Sequence, residues 1–236
     1  MTTTVVKLIA HTVVDDRELD QIGYDTHQPA EMSADEIAEF AGRNCYRSFS
    51  RPNPKTATSE GYLDHIIEIG HESVLEHASA TFYIEASRSF LAEITRHRHL
   101  SFSVVSQRYV DANTLNFHLP PAIDDLPKEV ANAMKAKLLA FYPKVLQLYN
   151  EMVEVYDAHG LPRKQAREAA RCVLPNMTSS PMVVTANHRA WRYMLKNRWH
   201  ASADREIRQV AGQLLTELRR VAPNTYQDIP EVPYGL

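Results

Sequence analysis

Apolar positions along the chain alternate between two periods. Val5 to Val14 is short, apolar and rich in β-branched residues, which predicts a strand. Ser33-Ala34-Asp35-Glu36 has the spacing of a capping box, and Ile37, Phe40 and Ala41 follow at helical intervals, so a helix opens there. Gly61 to Gly70 holds Leu63, Ile66, Ile67 and Ile69 and predicts a second helix. Ser79 to Ile84 favours a strand through Thr81, Phe82, Tyr83 and Ile84, and Ser87 to His97 a helix. Lys128 to His159 repeats Val130, Met134, Leu138, Phe141, Val145, Leu148, Met152 and Val155 as a long helix does, and Pro143 should kink or divide it. Gly160 suits a helix C′ position and Pro162 the first position of the next helix. Arg163 to Leu174 and Arg189 to Val221 read as further helices, with a strand-like Met182-Val183-Val184-Thr185 between them. Arg51-Pro52-Asn53-Pro54 reads as a turn, and residues 118 to 127, with Pro120, Pro121 and Pro127, as a connection. No repeat or low-complexity tract interrupts this order. The expectation is a mixed α/β chain (α+β, helix-rich) forming one domain over residues 1–236.

Composition narrows the function classes. With 236 residues and 44% hydrophobic content the chain can bury a sizeable core. A formal net charge of −3 disfavours non-specific nucleic-acid binding. No run of apolar residues is long enough for a membrane span, and Met1 to Ala10 lacks the pattern of a secretory signal. Cys45 and Cys172 form no CxxC pair, which argues against a disulfide scaffold and a zinc–thiolate site. A reducing cytoplasm is the expected setting.

Against this acidic background, one segment concentrates cations: Arg96-His97-Arg98-His99, followed by Ser101, Ser103, Ser106, Gln107 and Arg108. Arginine forks match phosphates and carboxylates, and small polar residues let backbone N–H groups approach an anion. A solvated basic face is the alternative. On a persisting helix, consecutive side chains point about 100° apart. Arg96, His97 and Arg98 would then stand between two ligands, or between a ligand and a subunit interface. Glu93, one turn earlier, could pair within the helix or meet the ligand. In His71-Glu72-Ser73-Val74-Leu75-Glu76-His77 the histidines are not at the i, i+4 spacing of a helical zinc pair, so no metal site is expected; Ser73 and Glu76 also fit a capping box. Arg163, Arg167 and Arg171 line one helix face. Arg171 adjoins Cys172-Val173-Leu174 and is expected to be less exposed, with Cys172 in the core. Trp191 and Leu195 also read as core.

The order Arg96, His97, Arg98, seven residues, Ser106, one residue, Arg108 resembles the signature of flavin-dependent thymidylate synthases. Further matching segments extend the resemblance from about residue 40 to about residue 210. It implies that family's own α/β fold and a homotetramer whose active sites are built from several chains. It implies reductive methylation of dUMP to dTMP, with 5,10-methylenetetrahydrofolate giving carbon and NADPH giving reducing equivalents through FAD, and no protein nucleophile. It implies dUMP contacts from Glu93, Arg96, Ser106, Gln107 and Arg108, backbone contacts near Val104 and Val105, and Arg171 reaching dUMP from a neighbouring subunit. Arg198 matches the arginine beside the pyrimidine, where a fixed cation favours loss of the N3 proton and electron density at C5. Flavin contacts are implied for Ser73, Glu76, Arg96, His97, Arg98, Asn187, Arg189 and Tyr193. Two departures from the pattern matter. Ser103 and Val104 stand where many relatives carry Asn and then Glu or Gln, and Ser202 where they tend to carry histidine, the nearest here being His200.

The absences fit this reading, because seven glycines and no GxGxxG or GxxxxGK[ST] leave no Rossmann or P-loop site. Two other readings stand beside it. One is a nucleic-acid-binding module using Arg96 to Arg108; the other is a flavoprotein acting on a different nucleotide.

Overall fold

The computed structural model describes residues 3–24, 32–51 and 53–236. In chain order its elements are β1 (Val5–His11), α1 (Asp16–Gln21), α2 (Ser33–Tyr46), α3 (Ser59–Glu68), β2 (Ser79–Glu85), α4 (Arg88–Ile94), β3 (Ser101–Val104), α5 (Lys128–Ala158), α6 (Arg163–Ala170), β4 (Met182–Asn187), α7 (His188–Arg198) and α8 (Arg205–Val221), with short 3₁₀ turns between them. The four strands form one sheet in the order β1-β2-β4-β3, so the chain is mixed α/β. It divides into two compact units. The first takes residues 3–5, Ile84–Arg96 and Ser103–Val183, and the second Val6–Tyr83, His97–Phe102 and Val184–Leu236.

The second unit is built on the middle of the sheet. Thr81 and Thr185 share a hydroxyl hydrogen bond of 2.9 Å, and the His188 N–H donates to Ala78 O at 3.1 Å. That antiparallel register sets Ala80 opposite Ala186 and Phe82 opposite Val184, all four buried, while the alternate positions are half-buried. The period of two along β2 and β4 thus becomes one apolar face. Trp191 of α7 covers that face, edge-on to Phe82 at 5.2 Å, with its Nε1 donating to Ala80 O at 3.1 Å. Helix α8 adds Ile207, Val210, Ala211, Leu214, Leu215, Leu218 and Val221, all buried and at helical spacing. Each of the Val, Leu and Ile side chains among them contributes roughly 1.5–3 kcal/mol of transfer free energy. Gly212 lets Trp199 lie against α8, because a Cβ there would come within 2.7 Å of the indole ring.

The segment after α8 binds back onto α2 and α7. Asp35 accepts from the Asn224 N–H (2.8 Å), the Thr225 N–H (3.0 Å) and the Thr225 hydroxyl (2.6 Å). Burial nevertheless pushes its pKa up to about 6. The His188 ring nitrogen Nδ1 and the Tyr226 hydroxyl are 2.8 Å apart, and burial pushes the His188 pKa down to about 4. Arg192 is fully buried and grips both oxygens of Asp228, at 2.6 and 2.8 Å. Burial opposes ionisation of Asp228, but hydrogen bonding and charge from Arg192 hold its carboxyl below the ordinary value.

The first unit centres on α5 and α6, whose contact buries Ala112, Tyr149 and Ala170 with Leu146, Met152, Val153, Val173 and Leu174 around them. Met134, Phe141, Leu148 and Val155, each seven residues after the last, form a stripe along α5 that is 40–57% exposed. Helix α5 runs unbroken through Pro143, held on either side by buried Tyr142 and Val145.

Several local expectations change. The first strand stops at His11, and β3 forms where only polar ligand contacts were expected. Ser33 lies inside α2 with Met32 at the cap and no side-chain capping bond; Glu36 is buried instead. Pro162 is the cap residue rather than the first residue of α6. The stretch 163–174 is α6 followed by a 3₁₀ turn at Arg171–Val173, and 189–221 is α7 and α8 with a break between. The expected turn at residues 51–54 includes Pro52, which lies outside the described residues.

Candidate active site

Helix α4 ends at Ile94, three residues short of the expected end. The Thr95 hydroxyl donates to Leu91 O at 2.9 Å, and buried Leu100 closes a turn by donating its N–H to His97 O at 3.2 Å. Arg96, His97 and Arg98 therefore leave the helix. Arg96 and Arg98 are exposed, whereas His97 is buried.

The first unit holds Glu93, Arg96, Val104, Val105, Ser106, Gln107, Arg108 and Arg171, all of the expected dUMP residues except Arg198. The Val105 N–H donates to Pro181 O at 3.0 Å, which anchors the end of β3. Ser106 O then accepts from the N–H groups of Tyr109 (3.1 Å) and Val110 (2.9 Å), making a single turn that carries Gln107 and Arg108. Gln107 is buried, and its Nε2 has no hydrogen-bond partner among the described residues. A buried amide donor left this way costs about 1–3 kcal/mol, so it is a group waiting for an acceptor. Arg108 faces Glu168 of α6 at 3.6 Å, both half-exposed. Arg167 ties the same turn to α6, donating to Tyr109 O at 2.5 Å and pairing with Asp111 at 3.1 Å. Glu93 sits on the last turn of α4, and its carbonyl accepts from the Arg96 N–H at 3.4 Å.

Two expectations fail here. Arg171 and Cys172 are both exposed. The 3₁₀ turn after α6 directs Val173 and Leu174 onto the α5–α6 cluster and leaves their two predecessors outside.

The second unit holds Ser73, Glu76, His97, Arg98, Asn187, Arg189 and Tyr193, the expected flavin residues other than Arg96, together with Arg198. Asn187 caps α7, its Oδ1 accepting from the Ala190 N–H at 2.8 Å. Arg189 pairs with Glu76 at 2.5 Å, both about half-exposed. Tyr193 is 59% exposed and meets the His97 ring edge-on at 5.9 Å. Arg198, at the end of α7, donates from Nε to His97 Nε2 at 3.0 Å. Ser73 is exposed within the 3₁₀ turn Glu72–Glu76, where no side-chain capping bond forms, so the capping-box reading fails here as well. Neighbouring Glu72 pairs with Lys196 at 3.0 Å, and His71 stacks on Tyr46. At the other departure from the signature, the Ser202 N–H donates to His200 Nδ1 at 3.2 Å.

Sequence reasoning missed Glu168 and Lys164. Lys164 lies 5.0 Å from the Tyr109 ring centre, and its hydrogen bond and charge lower the Tyr109 pKa. Their one sequence sign is that each directly follows an arginine of the α6 stripe, about 100° further round the helix. Cationic and polar groups at an exposed surface, with a capped helix start beside them, suit an anionic, planar cofactor.

Comparison with known proteins matches residues 30–224 to the family model described as thymidylate synthase complementing protein. The chain is 60% identical over 230 residues to a probable flavin-dependent thymidylate synthase of Mycobacterium phage D29, covering 98% of each. It is 50% identical over 196 residues to the flavin-dependent thymidylate synthase of Mycobacteroides abscessus, covering 81% of this chain and 78% of that one. Against the Mycobacterium tuberculosis protein of that name it is 46% identical over 199 residues, with the same coverage.

Proposed function

The chain belongs to the thymidylate synthase complementing protein family, the flavin-dependent thymidylate synthases, and from that premise we propose that it converts dUMP to dTMP. The carbon comes from 5,10-methylenetetrahydrofolate and the reducing equivalents from NADPH, with tetrahydrofolate and NADP⁺ as the other products. Bound FAD supplies the hydride chemistry that completes the methyl group.

The observation that carries the substrate reading is Gln107, whose buried Nε2 has no acceptor within the described residues and lies beside Arg108 on one turn. An anionic nucleotide supplies an acceptor for the amide and a phosphate for the arginine. Glu93, Arg96, Ser106 and the Val104–Val105 backbone complete that side, with Arg171 contributed from a neighbouring subunit. Val104 carries no polar side-chain atom, so its contact is through the backbone. Arg198 is the cation set against the pyrimidine and favours its N3-deprotonated form. The flavin side consists of Ser73, Glu76, Arg96, Arg98, Asn187, Arg189 and Tyr193, and His97 joins it through the Tyr193 ring. Since Asn187 Oδ1 is used as a helix cap, its Nδ2 is the atom that meets the cofactor. No protein nucleophile takes part.

A homotetramer with shared sites, in the cytoplasm, is the proposed assembly, each chain forming a single family domain over residues 1–236. The exposed α5 stripe supports self-association, because a repeat of seven is the spacing that packs one helix against another. Among the described residues no helix is long and apolar enough to cross a membrane.

The test is the visible spectrum of the purified protein under anaerobic conditions. A flavin band that bleaches with NADPH, faster when dUMP is present, is expected, followed by dTMP formation with methylenetetrahydrofolate. A protein that cannot be reconstituted with FAD, or that binds it and makes no dTMP, overturns the proposal. Oligonucleotide binding with a steep salt slope would replace it.

A further inference from the structure

We infer that His97 is a positioning residue for Arg198, holding the guanidinium by accepting its Nε–H; the role of that cation rests on the function proposed above. Three observations carry the inference. First, the helix that opens at Arg88 ends at Ile94, so His97 is set by the turn that Leu100 closes rather than by a helix face shared with Arg96 and Arg98. Of the three, His97 alone is buried. Second, the arginine is always the donor, so His97 Nε2 must offer its lone pair. The imidazole is then neutral with its proton on Nδ1, and the hydrogen bond itself selects that tautomer. Third, the ring lies edge-on to Tyr193, which limits its rotation, and Tyr193 stands on the same helix as Arg198. Helix α7 thus supplies both the cation and one wall of the group that fixes it.

The consequence for the reaction is directional. A guanidinium held through Nε presents its two Nη groups as a rigid fork. That fork can stabilise charge on a pyrimidine only if it does not have to reorganise as the charge develops. Arg198 is half-buried at the end of α7, and the Nε contact selects the rotamer that the guanidinium keeps. The histidine of the Arg-His-Arg signature therefore serves the pyrimidine side through Arg198, in addition to bordering the flavin side.

The test compares His97→Leu with His97→Gln in the FAD-loaded protein. Gln places an oxygen acceptor near the position of Nε2; Leu places none there. H97L is expected to lower kcat for dTMP formation roughly ten- to hundredfold, the size of a lost hydrogen bond to a charged group. H97Q is expected to recover at least about tenfold of that loss, with kcat compared at saturating FAD and FAD affinity measured in both variants. Equal losses in the two variants, or a loss of FAD affinity that accounts for the fall in kcat, overturn the inference. A second measurement does not depend on turnover. In ¹⁵N-histidine-labelled protein, the His97 signals, identified by their absence from H97Q, are expected to show a protonated Nδ1 and a bare Nε2. The opposite tautomer overturns the inference even if the enzyme is fully active. A wild-type protein that makes no dTMP would sink the proposed function and leave this tautomer measurement to decide the contact alone.

Discussion

Asp35 and His188 give the second unit two pH responses of opposite sign, both directed at the segment Asn224–Tyr226. Burial raises the Asp35 pKa from 3.8 to about 6 in the folded chain. Between those values the folded state keeps a proton that the unfolded state has released, so stability falls as pH rises, by about 3 kcal/mol in all. Burial lowers the His188 pKa from 6.5 to about 4, with the nearby His11 charge as a smaller cause. Here the unfolded state binds the proton, so stability is complete above 6.5 and is lost as pH falls toward 4, again by about 3 kcal/mol. From pH 4 to pH 6 the two contributions nearly cancel, and each becomes visible when the other is removed. Relative to wild type, Asp35→Asn should gain about 2–3 kcal/mol over that range, and His188→Asn should lose a similar amount. The assay is urea unfolding at pH 4, 5, 6 and 7, at fixed protein and FAD concentration. Fluorescence of Trp191 and Trp199, the only two tryptophans and both in this unit, is the probe. Variant curves that run parallel to the wild-type curve would refute the reasoning, because neither group could then change its proton affinity on folding.

Asp228→Ala removes the bidentate partner of the fully buried Arg192 guanidinium, leaving it a single carboxylate contact, to Glu72 at 3.5 Å, and should cost about 3 kcal/mol. The urea midpoint should fall with an unchanged slope, and a loss below about 1 kcal/mol would show that the charge is reached by water. Cys172→Ala should keep turnover within about twofold and retain FAD, since the thiol is exposed and the proposed reaction uses no protein nucleophile. Both Cys45 and Cys172 should react with a thiol reagent without denaturant, and loss of turnover in C172A with FAD and dUMP still bound would point to Cys172 as a nucleophile and refute this prediction.

The sequence signalled best where the periodicity had one explanation. β2 and β4 alternate as expected because one face meets Trp191, and Trp191 and Leu195 are core as their spacing required. Local motifs did less well where tertiary partners competed for the same side chains. Ser33 and Ser73 both have capping-box spacing, yet neither caps. Glu36 is buried in the fold, and Glu76 pairs with Arg189, 113 residues away. The end of α4 depended on Leu100 being drawn inward, which no window around Arg96 contains. Cys172 reads as core from its neighbours, but a change from α to 3₁₀ rotates it outward. The resemblance placed the candidate site on particular residues, but not which of them face one another. His97 and Arg198 are separated by 101 residues, and Arg108 faces an acid from another helix.

The return of residues 224–228 onto α2 and α7 also sets a timetable for biosynthesis. The donors that satisfy Asp35 come 190 residues after it. At about 5–20 residues per second, they emerge roughly 10–40 s after the carboxylate they serve. Asp228 follows Arg192 by only 36 residues, an interval of roughly 2–7 s at the same rate. The nascent chain can fasten α7 almost as soon as it is made, whereas the Asp35 carboxylate of α2 stays hydrated until nearly the whole chain has been synthesised.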